Sequence, residues 1–216
     1  MARITVLGGT GYVGSNIAAV AADRGHEVVA YSRSVPETPH DGVEYRQGDL
    51  RDEATLETAT SGTDVVISAL SPRGDLAAPD DLRTLEGRIA ARSAANGVRL
   101  GVVGGAGSLL VAPGGPKLVD TPDFPEDYRA EANELDGVLE DLRAGSGELE
   151  WFFVSPAAAF GPWAAGELTG SFRTGGDVLL ADENGDSAIS GPDLALAVVL
   201  EVEKPAHHQK RFTVAY

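Results

Sequence analysis

Residues 3–14 read Arg-Ile-Thr-Val-Leu-Gly-Gly-Thr-Gly-Tyr-Val-Gly, a short apolar run followed by a G-x-G-x-x-G string with a further glycine ahead of it. Ile, Thr, Val and Leu in unbroken succession suit a strand buried on both faces, as in a parallel sheet. Beyond the glycines, Val13, Ile17, Val20 and Ala21 recur at helical spacing until Gly25, which predicts a helix over residues 12–24. A G-x-G-x-x-G string alone is weak. Between a strand and a helix it has a mechanism: Gly8 and Gly9 permit the tight turn, Gly11 lets a pyrophosphate approach the backbone, and Gly14 lets the helix pack on the sheet. The free N–H groups of the helix start, around Thr10, Tyr12 and Val13, would hold the phosphates.

Working outward, β-rich runs fall at residues 27–31, 43–47, 64–70, 99–103, 150–155 and 211–215. Helical patterns separate them. Residues 52–60 form a short one. The segment from Asp80 puts Leu82, Leu85, Ile89 and Ser93 on one face and stops at Asn96-Gly97. Residues 126–143 are expected to carry Tyr128, Leu135, Leu139 and Leu142 inward, and Ser190-Gly-Pro-Asp193 resembles a capping box opening a last helix. Apolar strands alternating with helices predict an α/β fold: a doubly wound, mainly parallel sheet of the Rossmann type with helices on both faces. The chain reads as a single domain over 1–216. Its residues 156–187, rich in glycine, form an irregular excursion on the substrate side.

Composition narrows the partners. The 216 residues contain no cysteine, which removes disulfide scaffolds, thiol nucleophiles and cysteine-ligated metals. A formal charge of −16, with no basic stripe, argues against nucleic acid. The opening residues run straight into a strand and no apolar run is long enough for a membrane helix, so a cytoplasmic protein without membrane contact is expected. Oligomeric state is not legible.

The end of the second strand bears on which dinucleotide binds. NAD sites place an acid there for the ribose 2′-hydroxyl, whereas an arginine accommodates a 2′-phosphate. This chain has Ser32-Arg33-Ser34 and no acid before Glu37, which favours NADP(H) over NAD(H). Other strand ends supply Asp49 and Leu50, then Ala69, Leu70 and Ser71, then Gly104 and Gly105. Asp49 would meet the adenine amino group or cap the helix that begins near Asp52. The small residues would let the cofactor lie flat.

Gly8–Gly14, Arg33, Gly48-Asp-Leu50 and Gly104-Gly-Ala-Gly-Ser108 resemble the atypical short-chain dehydrogenase/reductase group. They are most similar to its NmrA-like NAD(P)H-binding branch of flavin reductase-like and biliverdin-IXβ reductase-like proteins. Ser155-Pro-Ala157, residues 170–177, Ile189-Ser190 and Arg211-Phe-Thr-Val214 extend the resemblance over nearly the whole chain. It implies a nicotinamide-dependent reductase. One departure matters: the Tyr-x-x-x-Lys pair of many short-chain dehydrogenases is missing, since Ala132 stands four residues after Tyr128. Alcohol–ketone chemistry and sugar epimerisation by that route are therefore disfavoured, while hydride transfer to a flavin needs no such pair.

Ser108 would lie near the nicotinamide or cap the turn after its strand, and Tyr128 faces either the pocket or the core. Phe160, Trp163 and Phe172, on the excursion, are candidates for stacking against a flat acceptor. His207-His208 read as solvated surface residues, His26 and His40 are isolated, and no metal is expected. The expected activity is NADPH-dependent hydride transfer to a flavin-like or quinone-like acceptor, with flavin as substrate rather than resident cofactor. A non-catalytic NADP(H)-binding sensor and a reductase or isomerase of a small metabolite are the alternatives.

Overall fold

The structure, a computed structural model, describes residues 1–145 and 147–216. One eight-stranded sheet runs in the order β3-β2-β1-β4-β5-β6-β8-β7. The strands are β1 (Arg3–Leu7), β2 (Glu27–Ser32), β3 (Val43–Gln47), β4 (Val65–Ser68), β5 (Arg99–Val103), β6 (Trp151–Ser155), β7 (Arg173–Gly175) and β8 (Lys210–Ala215). All neighbours pair in parallel except β7, which runs antiparallel to β8. Helices α1 (Tyr12–Asp23), α2 (Glu53–Thr60), α3 (Asp81–Ala95), α4 (Glu126–Ala144) and α5 (Gly191–Glu203) connect them. This is the doubly wound, Rossmann-type architecture expected.

Residue alternation along the strands builds two apolar layers. On one face Ile4, Val6, Phe152, Val154, Phe212 and Val214 pack with Ile17 and Ala21 of α1 and with Leu194 and Val198 of α5. On the other, Leu7, Leu100, Val102 and Phe153 pack with Leu56 of α2, Leu82 and Ile89 of α3, and Leu139 of α4. The helix ends follow their sequence signals. Asp52 caps α2 by accepting from the Thr55 N–H, Ser190 caps α5 by accepting from the Asp193 N–H, and Gly97 ends α3 with φ of +65°.

Two expectations need correction. Tyr128 does not point into the core; it is 52% exposed, because the buried stripe of α4 begins one turn later, at Ala132 and Leu135. His207 is not a solvated surface residue. Its ring stacks on Phe212 with centroids 4.4 Å apart, and its Nδ1 lies 2.8 Å from the buried carboxylate of Glu201. The short strand β7 was not apparent in the sequence at all. It forms one sheet edge, and β3, where Arg46 donates to Glu44 at 2.6 Å, forms the other.

Candidate nucleotide-binding cleft

Strand order reverses between β1 and β4, so the connections leaving these strands diverge to opposite faces and open a crevice at their carboxyl ends. A cleft of about 300 Å³ lies there. Its lining comes from Gly8, Thr10 and Gly11 after β1, Ser32 and Arg33 at the end of β2, Asp49 and Leu50 after β3, and Ala69, Leu70 and Ser71 after β4. Ten residues chosen from the sequence thus meet in one place.

The glycine turn is closely packed. Gly8 adopts φ of +79°, and a Cβ on it would lie 2.8 Å from the Ala69 carbonyl oxygen. A Cβ on Gly9 would come within 2.5 Å of the Ala30 Cβ, and one on Gly14 would overlap the Gly8 backbone. The turn is pinned to the second strand by the Gly8 and Gly9 N–H groups, both donating to the Tyr31 carbonyl at 2.9 and 3.0 Å. Gly11 is the N-cap of α1 and offers no side-chain cap, and the first turn carries no acid. Among the described residues, no protein acceptor meets the N–H groups of Thr10, Tyr12, Val13 or Gly14. Donors left open at a positive helix end fit the pyrophosphate of a dinucleotide.

Beyond the turn the cleft is charged. Arg33 donates from a terminal nitrogen to Asp75 at 2.8 Å. Arg51 donates to Asp49 at 2.7 Å and lies 3.6 Å from the same Asp75 oxygen. Hydrogen bonds from the Arg51 side chain, and then its backbone N–H, hold the Asp49 carboxyl down at about 2. Asp49 therefore serves Arg51, and Asp52 is the helix cap. Arg51, Arg73 and Asp75 also line the cleft, and sequence reasoning missed them. Their signal was present: each follows within a few residues of a strand's carboxyl end.

Other candidates sit elsewhere. Gly104 and Gly105 do not line the cleft; a Cβ on Gly104 would run into the Phe153 ring, and one on Gly105 would approach Leu135 at 3.3 Å. Ser108 is buried, and its hydroxyl accepts from Arg211 at 2.7 Å. Arg211 in turn donates through Nε to Asp177 at 2.8 Å, and Asp177 accepts from Arg143 at 2.6 Å. This makes Ser108 part of a polar knot under β8. Tyr128 stands at the outer end of α4.

The excursion after β6 leans on the glycine turn through Tyr12. The Tyr12 ring lies 5.7 Å from that of Phe160, and its hydroxyl donates to the Ala165 carbonyl at 3.4 Å. Phe160 and Phe172 are half-buried against the core, while Trp163 is 69% exposed. The loop is moored by Asp193 at the start of α5. This fully buried carboxylate accepts from the Thr169 hydroxyl and the Tyr216 hydroxyl, both at 2.7 Å, and from the Gly170 N–H at 2.8 Å. Burial opposes its ionisation, but these donors outweigh burial and hold the carboxyl below its ordinary range.

The profile of a family described as NAD(P)H-binding matches residues 8–205. The chain is 38% identical over 215 residues to the YwnB protein of Bacillus subtilis, covering 98% of this chain and 97% of that one. A solved structure from Burkholderia pseudomallei, provisionally named an exported protein, is 40% identical with a TM-score of 0.87 and full coverage of both chains, 100% each. One from Streptococcus pneumoniae, provisionally named an NADH-flavin reductase, is 33% identical, with a TM-score of 0.87 over 100% of this chain and 99% of that one. One from Bacteroides thetaiotaomicron, provisionally named an epimerase, is 33% identical, with a TM-score of 0.88 over 99% and 96%. No helix among the described residues is long and apolar enough to cross a membrane.

Proposed function

The chain belongs to the NAD(P)H-binding family, and from that premise we propose that it is an NADPH-dependent reductase of a flavin-like or quinone-like ring. The bound dinucleotide would supply hydride. The chain's own groups do the positioning. The open N–H groups of Thr10, Tyr12, Val13 and Gly14 receive the pyrophosphate, Arg33 faces the 2′-phosphate, and Ala69, Leu70 and Ser71 form the wall along which the cofactor lies.

The observation that carries the choice of acceptor is that, among the described residues, no tyrosine–lysine proton relay is in place. Tyr128 is exposed, Ala132 follows it by one turn, and Lys117 is engaged by Asp136 at 2.7 Å. Hydride delivery to an electron-poor ring proceeds with a solvent proton, so orientation of two flat rings carries the rate. Phe160 and Trp163, on the loop that leans on Tyr12, offer the stacking surface, and residues 156–187 form the acceptor side of one functional unit. A cytoplasmic setting supplies the reduced dinucleotide that turnover consumes. The same missing relay speaks against epimerase chemistry, and it is also the feature that supports the second reading, an NADP(H) sensor.

The test is oxidation of NADPH and of NADH by the purified protein with FMN, riboflavin and a benzoquinone. Turnover with NADPH preferred supports the proposal. Cofactor binding with no turnover on any of the three rings supports the sensor, and a clear NADH preference removes the role given to Arg33.

A further inference from the structure

Two guanidinium groups in the nucleotide cleft converge on a single oxygen. Arg33, just after β2, donates to Oδ2 of Asp75 at 2.8 Å, and a terminal nitrogen of Arg51, which follows β3, lies 3.6 Å from that same atom. The segments that follow three strands thus meet at one acceptor. Asp75 belongs to the short turn Gly74–Leu76 after β4, and its side chain is half exposed. Among the described residues its carboxylate has no partner besides these two arginines. A carboxylate so placed is a stand-in: it marks where an oxyanion can receive both guanidiniums at once.

Arg51 is oriented for that role by its other neighbour. Asp49 accepts from the Arg51 Nε at 3.0 and 3.1 Å and from the terminal nitrogen at 2.7 Å, a forked grip that fixes the plane of the guanidinium. Asp49 keeps that grip if another anion takes the place of Asp75. A third arginine of the cleft, Arg73, is turned elsewhere: it donates through Nε and a terminal nitrogen to Glu131 of α4, at 3.1 and 2.8 Å.

We propose that Arg51 determines dinucleotide choice together with Arg33, the two clamping the 2′-phosphate of NADPH at the place Asp75 marks. The inference rests on the reading of the cleft as an NADPH site. A phosphate monoester carries about −1.5 to −2 charge at pH 7 and three acceptor oxygens. Asp75 brings one charge and two oxygens, so the phosphate displaces it from both arginines. A ribose 2′-hydroxyl carries no charge, leaves Asp75 in place and makes no use of Arg51.

Titration calorimetry of the full chain with NADP+ and with NAD+ tests this without any acceptor. The parent should bind NADP+ the more tightly. Arg51→Ala should weaken NADP+ about tenfold and NAD+ by less than about twofold, and Arg51→Lys, which keeps the charge but not the fork, should fall between. With Arg33→Ala and Arg51→Ala combined, the two dinucleotides should bind alike. Arg73→Ala removes the same charge from the same cleft and should preserve the parent's ratio of affinities, and NAD+ binding shows that each variant is folded. A preference for NADP+ that survives Arg51→Ala, equal weakening of both dinucleotides, or a ratio that falls as far in Arg73→Ala overturns the role of Arg51 and leaves the NADPH reading standing. A parent that binds NAD+ as tightly as NADP+ overturns that reading, and this inference with it.

Discussion

Arg33 and Asp75 are joined at 2.8 Å across the mouth of the nucleotide cleft, so the cation at the end of β2 is already held by an acid from the turn after β4. A 2′-phosphate reaching Arg33 must compete with that carboxylate. Arg33→Ala should raise the KM for NADPH about tenfold and leave that for NADH within about twofold. Asp75→Asn should move the NADPH value the other way by a few-fold, and added salt should shrink both effects. Steady-state kinetics with each dinucleotide at two salt concentrations measures this.

Gly14 packs so close to Gly8 that no side chain fits between α1 and the turn. Gly14→Ala should lower stability by roughly 2 kcal/mol through overpacking. It should also weaken NADPH binding more than tenfold, because the displaced helix start carries the open donors. Thermal unfolding with and without NADPH separates the two losses.

The Arg211–Ser108 hydrogen bond places Ser108 in a buried knot with Asp177 and Arg143. Ser108→Ala should therefore cost about 1.5 kcal/mol, the scale of a hydrogen bond to a charged donor. Its kcat at saturating NADPH should stay within about threefold of the parent. A fall of a hundredfold with an unchanged unfolding midpoint would restore Ser108 to the chemistry.

Glu86 binds its proton more tightly when folded than its ordinary value of 4.5 allows. Stability that depends on it is complete below about 4.5 and is lost as pH rises through about 7. Urea midpoints of the parent should decline across that interval more steeply than those of Glu86→Gln, which has no proton to lose. The variant should be the more stable of the two at pH 8, by on the order of 2 kcal/mol.

Where sequence signals are local, they read through to the structure. The five residues of β1, the glycine spacing and the helical repeat to Gly25 are all decided by neighbours, and each appears as expected. The capping residues Asp52 and Ser190 likewise act within three positions of themselves. What escaped was non-local. Arg211 meets Ser108 from 103 residues away, and Arg33 meets Asp75 from 42, so the partner that assigns each side chain lies in another element. Tyr128 shares the helical phase of Ala132 and Leu135, but phase does not tell where a helix overhangs its sheet. Three residues of β7, two of them exposed and the last a glycine, carry no strand pattern.

The two ends of the sheet have a consequence for how this acidic chain behaves at high concentration. A strand at a sheet edge is a template on which another chain can add. At the β3 edge an incoming strand meets Glu44 and Arg46 paired at 2.6 Å and would have to strip water from both. At the other edge β7 offers only Arg173–Gly175 before the chain turns away at Gly176. Each margin is thus guarded against fibrillar growth, one by charge and the other by brevity.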